Sequence, residues 1–370
     1  MRVVYVSRGY GPHDRRFLAA QAAAGLQVGF LRLTGRRGRD EPLPPGVETL
    51  LWDGARETPA LRWPPLLAGQ LRSALKRARP DVVHAGPLQD VALAAALAGV
   101  RPLVAMSWGF DLLEDARRGP GRRAARRALQ GADLLLCDCD AVRREAVNLG
   151  MDADRIVVFP WGVDLRQFRP GRSRSVRSAL GWEGEFILVA TRSWERRYGI
   201  EVLLEGFAVA VRREPRLRLV LIGDGSLRPY VLRRIEDPEV SSKVRLPGVV
   251  DQEWLPAFYR SADLYVSPSH VDGTSVSLLE AMACGLPVVV SDIPGNREWV
   301  QPGAQGWWFP DGDAHALADV LVDATKRPER LKGMGRRNRR VVERRADWRR
   351  APRFLADTYA RAVRISRESR

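Results

Sequence analysis

Cysteine is scarce: Cys137, Cys139 and Cys284 are the only three in 370 residues. A single C-x-C without companion histidines offers neither a disulfide framework nor zinc-ligand spacing, so a reducing cytoplasmic setting and no bound metal are expected. Long hydrophobic runs are missing as well. No stretch of eighteen apolar residues occurs, which removes membrane-spanning helices from consideration. The opening MRVVYVSRGYGP enters a strand-like segment at once and lacks the apolar stretch of a signal peptide, so neither export nor insertion is expected. Lysine is almost absent too: Lys76, Lys243, Lys326 and Lys332 stand beside 56 arginines among 60 basic residues.

The rest of the composition is ordinary for a globular chain, with 45% hydrophobic and 28% charged residues. A length of 370 residues exceeds one usual core and suits two α/β domains. The formal charge of +16 draws the chain toward polyanions, and its sign alone does not choose among nucleotide diphosphates, nucleic acid and anionic lipid.

Short apolar runs at Val3 to Ser7, Val28 to Leu33, Val82 to His84, Leu103 to Ser107 and Leu134 to Cys137 alternate with helix-like stretches such as Arg15 to Ala24 and Asp90 to Ala98. The second half repeats this with Phe186 to Ala190, Leu217 to Ile222, Val244 to Leu246, Leu264 to Ser267 and Val288 to Ser291. Alternation of this kind predicts βαβ units, hence two Rossmann-like, doubly wound parallel-sheet domains of the α/β class facing a cleft. FPWGVDLRQFRPGRSRS, rich in proline, glycine and arginine, reads as the linker. The expected domains are 1–168 and 169–345.

In open parallel sheets ligands sit beyond the carboxyl ends of the strands, so the loops after strands carry the information. The richest is SPSHVDGTSVSLLEAMACGLPVVVSDIPG, Ser267 to Gly295. A small polar loop of Asp272, Gly273, Thr274 and Ser275 precedes a helix of good formers that Gly285 and Pro287 terminate. Free amides and the helix dipole make such a turn an anion site, and Gly273 lets a phosphate approach the backbone. Glu280, on the second turn, is placed to accept hydrogen bonds from a ribose diol, and Asp272 to lie nearer the group attached to the diphosphate. The competing readings are an exposed helix glutamate and a helix-capping aspartate.

This stretch resembles the signature of family-4 glycosyltransferases of the GT-B fold, also called group 1: two glutamates with seven residues between them, the second opening EAMACGLPVV. The resemblance implies ribose binding for Glu280 and donor-sugar contact for Asp272, which is one methylene shorter than the usual glutamate. FPWGVDLRQF, LIGDGSLR (with Gly223 and Gly225) and FYRSADLYVSPS are similar to further family segments. In TRSWERRYG, Arg192 matches the arginine that neutralises the diphosphate, and Arg197 stands where a lysine is usual, with Arg196 a neighbouring candidate. SRGYGPHDRRF, with Gly9, Gly11 and His13, is similar to the acceptor loop. MSWGFD carries Trp108 where many relatives have histidine, leaving His13, His84 and Asp111 as acceptor-side polar groups.

The resemblance implies a metal-independent, retaining transfer with no resident cofactor. A nucleoside diphosphate sugar, UDP-linked, is the expected donor, and a glycan, lipid-linked compound or small molecule the acceptor. It also implies that residues 346–370 form a helix crossing back to the N-terminal acceptor domain. Two other classes stay open. A nucleotide-sugar epimerase on a similar scaffold would process the donor alone. A nucleic-acid binder would use the positive charge, but zinc-finger spacing, an aromatic RNA-binding motif and a helix-turn-helix are all missing, so nucleic acid is not an expected partner. DARRGPGRRAARRALQG, Asp115 to Gly131, beside the apolar Leu61 to Leu75, is either an ordinary solvated helix or a contact with an anionic leaflet at the inner face of the membrane.

Overall fold

The computed structural model describes residues 1–34, 42–51, 64–117, 119–171 and 173–368. Arg118 and residues 61–63, parts of the basic and apolar segments above, lie outside them. Two compact units emerge, one of Met1–Pro160 with Arg349–Arg370 and one of Trp161–Trp348.

The first unit holds a seven-stranded parallel sheet in the order β3-β2-β1-β4-β5-β6-β7. Its strands are β1 (Arg2–Ser7), β2 (Gln27–Arg32), β3 (Val47–Thr49), β4 (Val82–Gly86), β5 (Leu103–Met106), β6 (Leu134–Cys137) and β7 (Ile156–Val158). The second unit holds six, in the order β10-β9-β8-β11-β12-β13. These are β8 (Phe186–Thr191), β9 (Leu217–Ile222), β10 (Val244–Gly248), β11 (Leu264–Ser267), β12 (Val288–Ser291) and β13 (Gly306–Phe309). Each sheet is wound outward in both directions from its first strand, which is the doubly wound α/β class expected. Helices cover both faces, so central strands such as β4, β5 and β6 are buried along their whole length and read as continuous apolar runs.

β3, β7 and β13 were not anticipated. Each has only three or four residues and lies at a sheet edge, where one neighbour is missing and no long apolar run is required.

Residues 161–168 bury Val163, Leu165 and Phe168 in the second unit's core. The helix Ala351–Glu368 buries Leu355 and Tyr359 in the first unit, packing on the helix Pro12–Ala23 and on β4 and β5. Phe354 stacks on Phe159 with ring centroids 4.0 Å apart. Tyr359 closes a buried polar knot: its hydroxyl lies 2.8 Å from His84 Nδ1 and accepts from Gln21 Nε2 at 2.6 Å. No helix among the described residues is long and apolar enough to cross a membrane.

Candidate functional site

β8 and β11 are neighbours, while the chain leaves them toward opposite edges of the sheet. Loops after these two strands therefore diverge and leave a crevice, the usual ligand position in such sheets. Arg192 follows β8 directly, and Asp272 and Ser275 lie in the loop after β11. Arg192 Nη2 meets Asp272 Oδ2 at 2.8 Å, each side chain 13% exposed. Arg192 Nη1 donates to Ser275 Oγ at 3.2 Å, and its guanidinium carbon sits 3.9 Å from the centre of the Tyr198 ring.

Burial disfavours the charge on Arg192, but Asp272 and then Tyr198 outweigh it and raise its pKa. Burial pushes the Asp272 carboxyl up, while Arg192, the Ser275 hydroxyl and the Gly273 amide pull it back only in part. The acid nearest the helix start is thus the protein's own, held by Arg192 and the Gly273 amide. Ser275 caps the helix Val276–Ala283, its Oγ accepting from Leu278 N. Thr274 turns inward, its Oγ1 accepting from Trp299 Nε1 at 3.3 Å.

Glu280 is only 4% exposed on this helix. Tyr259 Oη donates to Glu280 Oε2 at 3.0 Å, and the Thr191 hydroxyl lies 2.7 Å from that same Oη. Thr191 ends β8, one residue before Arg192, so the buried chain Thr191, Tyr259, Glu280 fixes the carboxylate relative to the ion pair. Burial, then Glu280, raises Tyr259 well above the usual phenol range, which keeps it a donor.

Gly223 has φ +133°, and a Cβ there would lie 2.4 Å from the Arg192 carbonyl oxygen; at Gly225 it would lie 2.5 Å from that of Trp194. These glycines let the loop after β9 pack on the loop carrying Arg192, where Trp194 N donates to Asp224 O at 3.0 Å. The Arg197 carbonyl accepts from His270 N at 2.9 Å, so its backbone shapes the start of the Asp272 loop.

Three contributors escaped the sequence reading. Tyr198 and Tyr259 lie within TRSWERRYG and FYRSADLYVSPS, but neither was singled out there. Gly295, where a Cβ would lie 2.3 Å from Gly273 O, lets the loop after β12 press on the Asp272 turn; it closes the quoted stretch but was given no role.

In the first unit the corresponding reversal lies between β1 and β4. Arg8 Nε donates to Asp90 Oδ2 at 2.6 Å across it. Gly11 is extended, φ −140°, and precedes the helix Pro12–Ala23; its N–H donates to Asp14 Oδ2 at 2.9 Å. A Cβ at Gly9 would approach nothing closer than 4.0 Å. His13 is half-buried between Phe17 and Trp108, its ring 5.2 Å from the indole. Burial, with Arg16 adding, lowers His13 to about 3.

Asp111 is wholly buried and accepts from Ser107 Oγ at 2.5 Å, Leu88 N at 3.1 Å, Trp108 N at 3.1 Å and Leu112 N at 3.0 Å. It ties the loops after β4 and β5 together, and burial raises it to about 6 against those bonds. His84, in the middle of β4, belongs to the Tyr359 knot. The structure therefore brings His13 and Trp108 together and engages Asp111 and His84 in the interior.

Burial, with His13 adding, lowers His84 to about 3. A histidine kept neutral in the fold contributes stability above its unfolded pKa near 6.5, and that contribution is lost as pH falls toward 3. Urea unfolding at pH 7.5 and 4.5 should show wild type losing about 2–3 kcal/mol more than His84→Gln over that interval. Equal losses would contradict a neutral buried His84.

Among the described residues no group of three or more His, Cys, Asp or Glu is placed to hold a metal ion.

Residues 173–341 match the family described as glycosyl transferases group 1, and residues 9–167 the one described as glycosyltransferase family 4. A D-inositol 3-phosphate glycosyltransferase of Paenarthrobacter aurescens is 28% identical, over 96% of this chain and 93% of its own. D-inositol 3-phosphate glycosyltransferase 2 of Catenulispora acidiphila is 30% identical over 64% of this chain, which spans 57% of that relative. Among solved structures, Anabaena Alr3699/HepE in complex with UDP-glucose superposes with a TM-score of 0.78 at 18% identity, covering 97% of this chain and 99% of its own.

Proposed function

The chain belongs to the group 1 glycosyltransferases of the GT-B fold, and on that premise we propose that it moves a sugar, with retention and without a metal, from a UDP-sugar to a glycan, lipid-linked or small-molecule acceptor. One observation carries the reading: at the β8/β11 reversal a buried arginine stands at the mouth of the helix Val276–Ala283, and a buried glutamate lies farther along the same helix. Arg192 neutralises the diphosphate, most strongly as it departs, because a fixed cation in a water-poor site needs no reorganisation when charge develops. Arg197 and the amides of Gly273 to Ser275 assist it. Glu280 accepts from the ribose diol, and Asp272 contacts the donor sugar after yielding part of Arg192.

Gly223 and Gly225 keep the Arg192 loop close enough for this. The acceptor is taken up by the first unit, around Gly9, Gly11, His13 and Trp108. The proposed location is the cytoplasm, at the inner face of the membrane where the acceptor is lipid-linked. The complex of a structural neighbour with UDP-glucose supports the choice of uridine.

A thermal-shift series with UDP-, GDP- and ADP-sugars should raise the melting temperature most for one UDP-sugar, since a ligand that binds only the native state stabilises it. Incubation with that labelled donor and a panel of glycan, lipid-linked and small-molecule acceptors should then move the label to one acceptor as UDP is released. An epimerised sugar nucleotide as the only product would replace transfer by epimerisation.

A further inference from the structure

Three helices cover one face of the first unit's sheet: Pro64–Ala78, Leu93–Leu97 and Gly119–Gly131, the second packing against both others. Residues 64–79, 93–101 and 116–131 contain no aspartate or glutamate, in a chain with 44 acids. The inward sides are apolar, with Leu67, Leu71, Ala94, Ala125 and Leu129 buried in the sheet's core. Arg72, Lys76, Arg122, Arg123, Arg126 and Arg127 are exposed, and none of the six makes an ion pair among the described residues. Other arginines do pair: Arg101, at the end of the second segment, meets the buried Asp133 at 2.6 Å, and Arg177 in the second unit meets Asp263 at 2.6 Å. At 3.6 residues per turn, the four arginines of Gly119–Gly131 fall within about 140° of arc, and the buried Ala125, Ala128 and Leu129 lie outside it.

We infer that this acid-free three-helix face docks on an anionic lipid surface. Unopposed cations spread over adjoining helices match a broad sheet of negative headgroups. Nucleic acid fits less well, because the three segments contain no aromatic residue on which a base could stack. The leucines of Pro64–Ala78 named above point inward, so the contact is electrostatic rather than inserted and weakens steeply with salt. Vesicle binding needs no donor, and its outcome is independent of the sugar-transfer reading.

The full chain is sedimented with vesicles of phosphatidylcholine alone and of phosphatidylcholine mixed with phosphatidylglycerol. Binding to the mixed vesicles, reversed by added salt, is expected. Each cation near the leaflet contributes roughly fivefold, about 1 kcal/mol, so R122Q/R123Q/R126Q/R127Q should weaken binding by at least about 100-fold. The two pairs R122Q/R126Q and R123Q/R127Q, gentler on folding, should each weaken it roughly 25-fold. The control R166Q/R233Q/R336Q/R340Q removes the same charge from the second unit and should cost far less. Equal partition to both vesicle types, or equal losses in the control and the face variant, would overturn the inference. So would duplex DNA binding that mixed vesicles fail to displace, which would assign the face to nucleic acid.

Discussion

Arg192→Met should lower turnover by roughly a thousandfold, the loss of about 4 kcal/mol that removing one preorganised charge from a developing anion typically produces. The variant also strands Asp272, whose side chain is 13% exposed and already raised by burial. A buried carboxylate without its cation takes a proton or destabilises the fold, by about 3–5 kcal/mol when the pair is fully dry. Loss of activity alone is therefore ambiguous. In Arg192→Met/Asp272→Leu the stranded charge is gone, so urea unfolding should return most of the stability while turnover stays near that of the single variant. Turnover in Arg192→Met within tenfold of wild type would remove the arginine from the reaction. Recovery of turnover in the double variant would make the pair structural only.

Glu280→Ala is expected to weaken UDP binding by about 30- to 150-fold, since hydrogen bonds to a buried carboxylate contribute about 2–3 kcal/mol. The sharper readout uses the ligand. 2′-Deoxy-UDP should bind wild type roughly tenfold more weakly than UDP, with one charge-assisted bond lost. Glu280→Ala should bind the two alike. Calorimetric titration of both proteins with both ligands gives the coupling directly. Tyr259→Phe leaves the carboxylate in place but removes one donor from its Oε2, so its effect should be smaller and in the same direction. Unchanged UDP affinity in Glu280→Ala would end the ribose assignment, whatever happens to turnover.

Both variants test residues that local pattern could nominate without showing their partners. Arg192 and Asp272 are 80 positions apart, and their contact exists because β8 pairs with β11 on one side as well as with β9 on the other. The Thr191, Tyr259 and Glu280 chain has the same origin, since its members come from a strand end and two separate helices. His84 and Asp111 show the converse. As polar groups that the resemblance left on the acceptor side they invited an acceptor role, whereas the packed structure surrounds them with Tyr359, Gln21, Ser107 and three amides. Tyr359 reaches His84 from 275 positions away.

Fold class, the central strands and the helix that opens at Ser275 were legible in the residues alone. Strands buried on both faces must be apolar throughout, and a helix boundary needs its capping and stop residues close by, so these signals are local and survive in one dimension. The short edge strands β3, β7 and β13 carry no such signal, because a strand with one neighbour buries less and tolerates almost any short segment. Pairing of charges, the direction each carboxylate faces and the acid-free helical face arose only on folding. Strand order and helix packing decide which distant side chains share a dry space, and no interval along the chain encodes that distance.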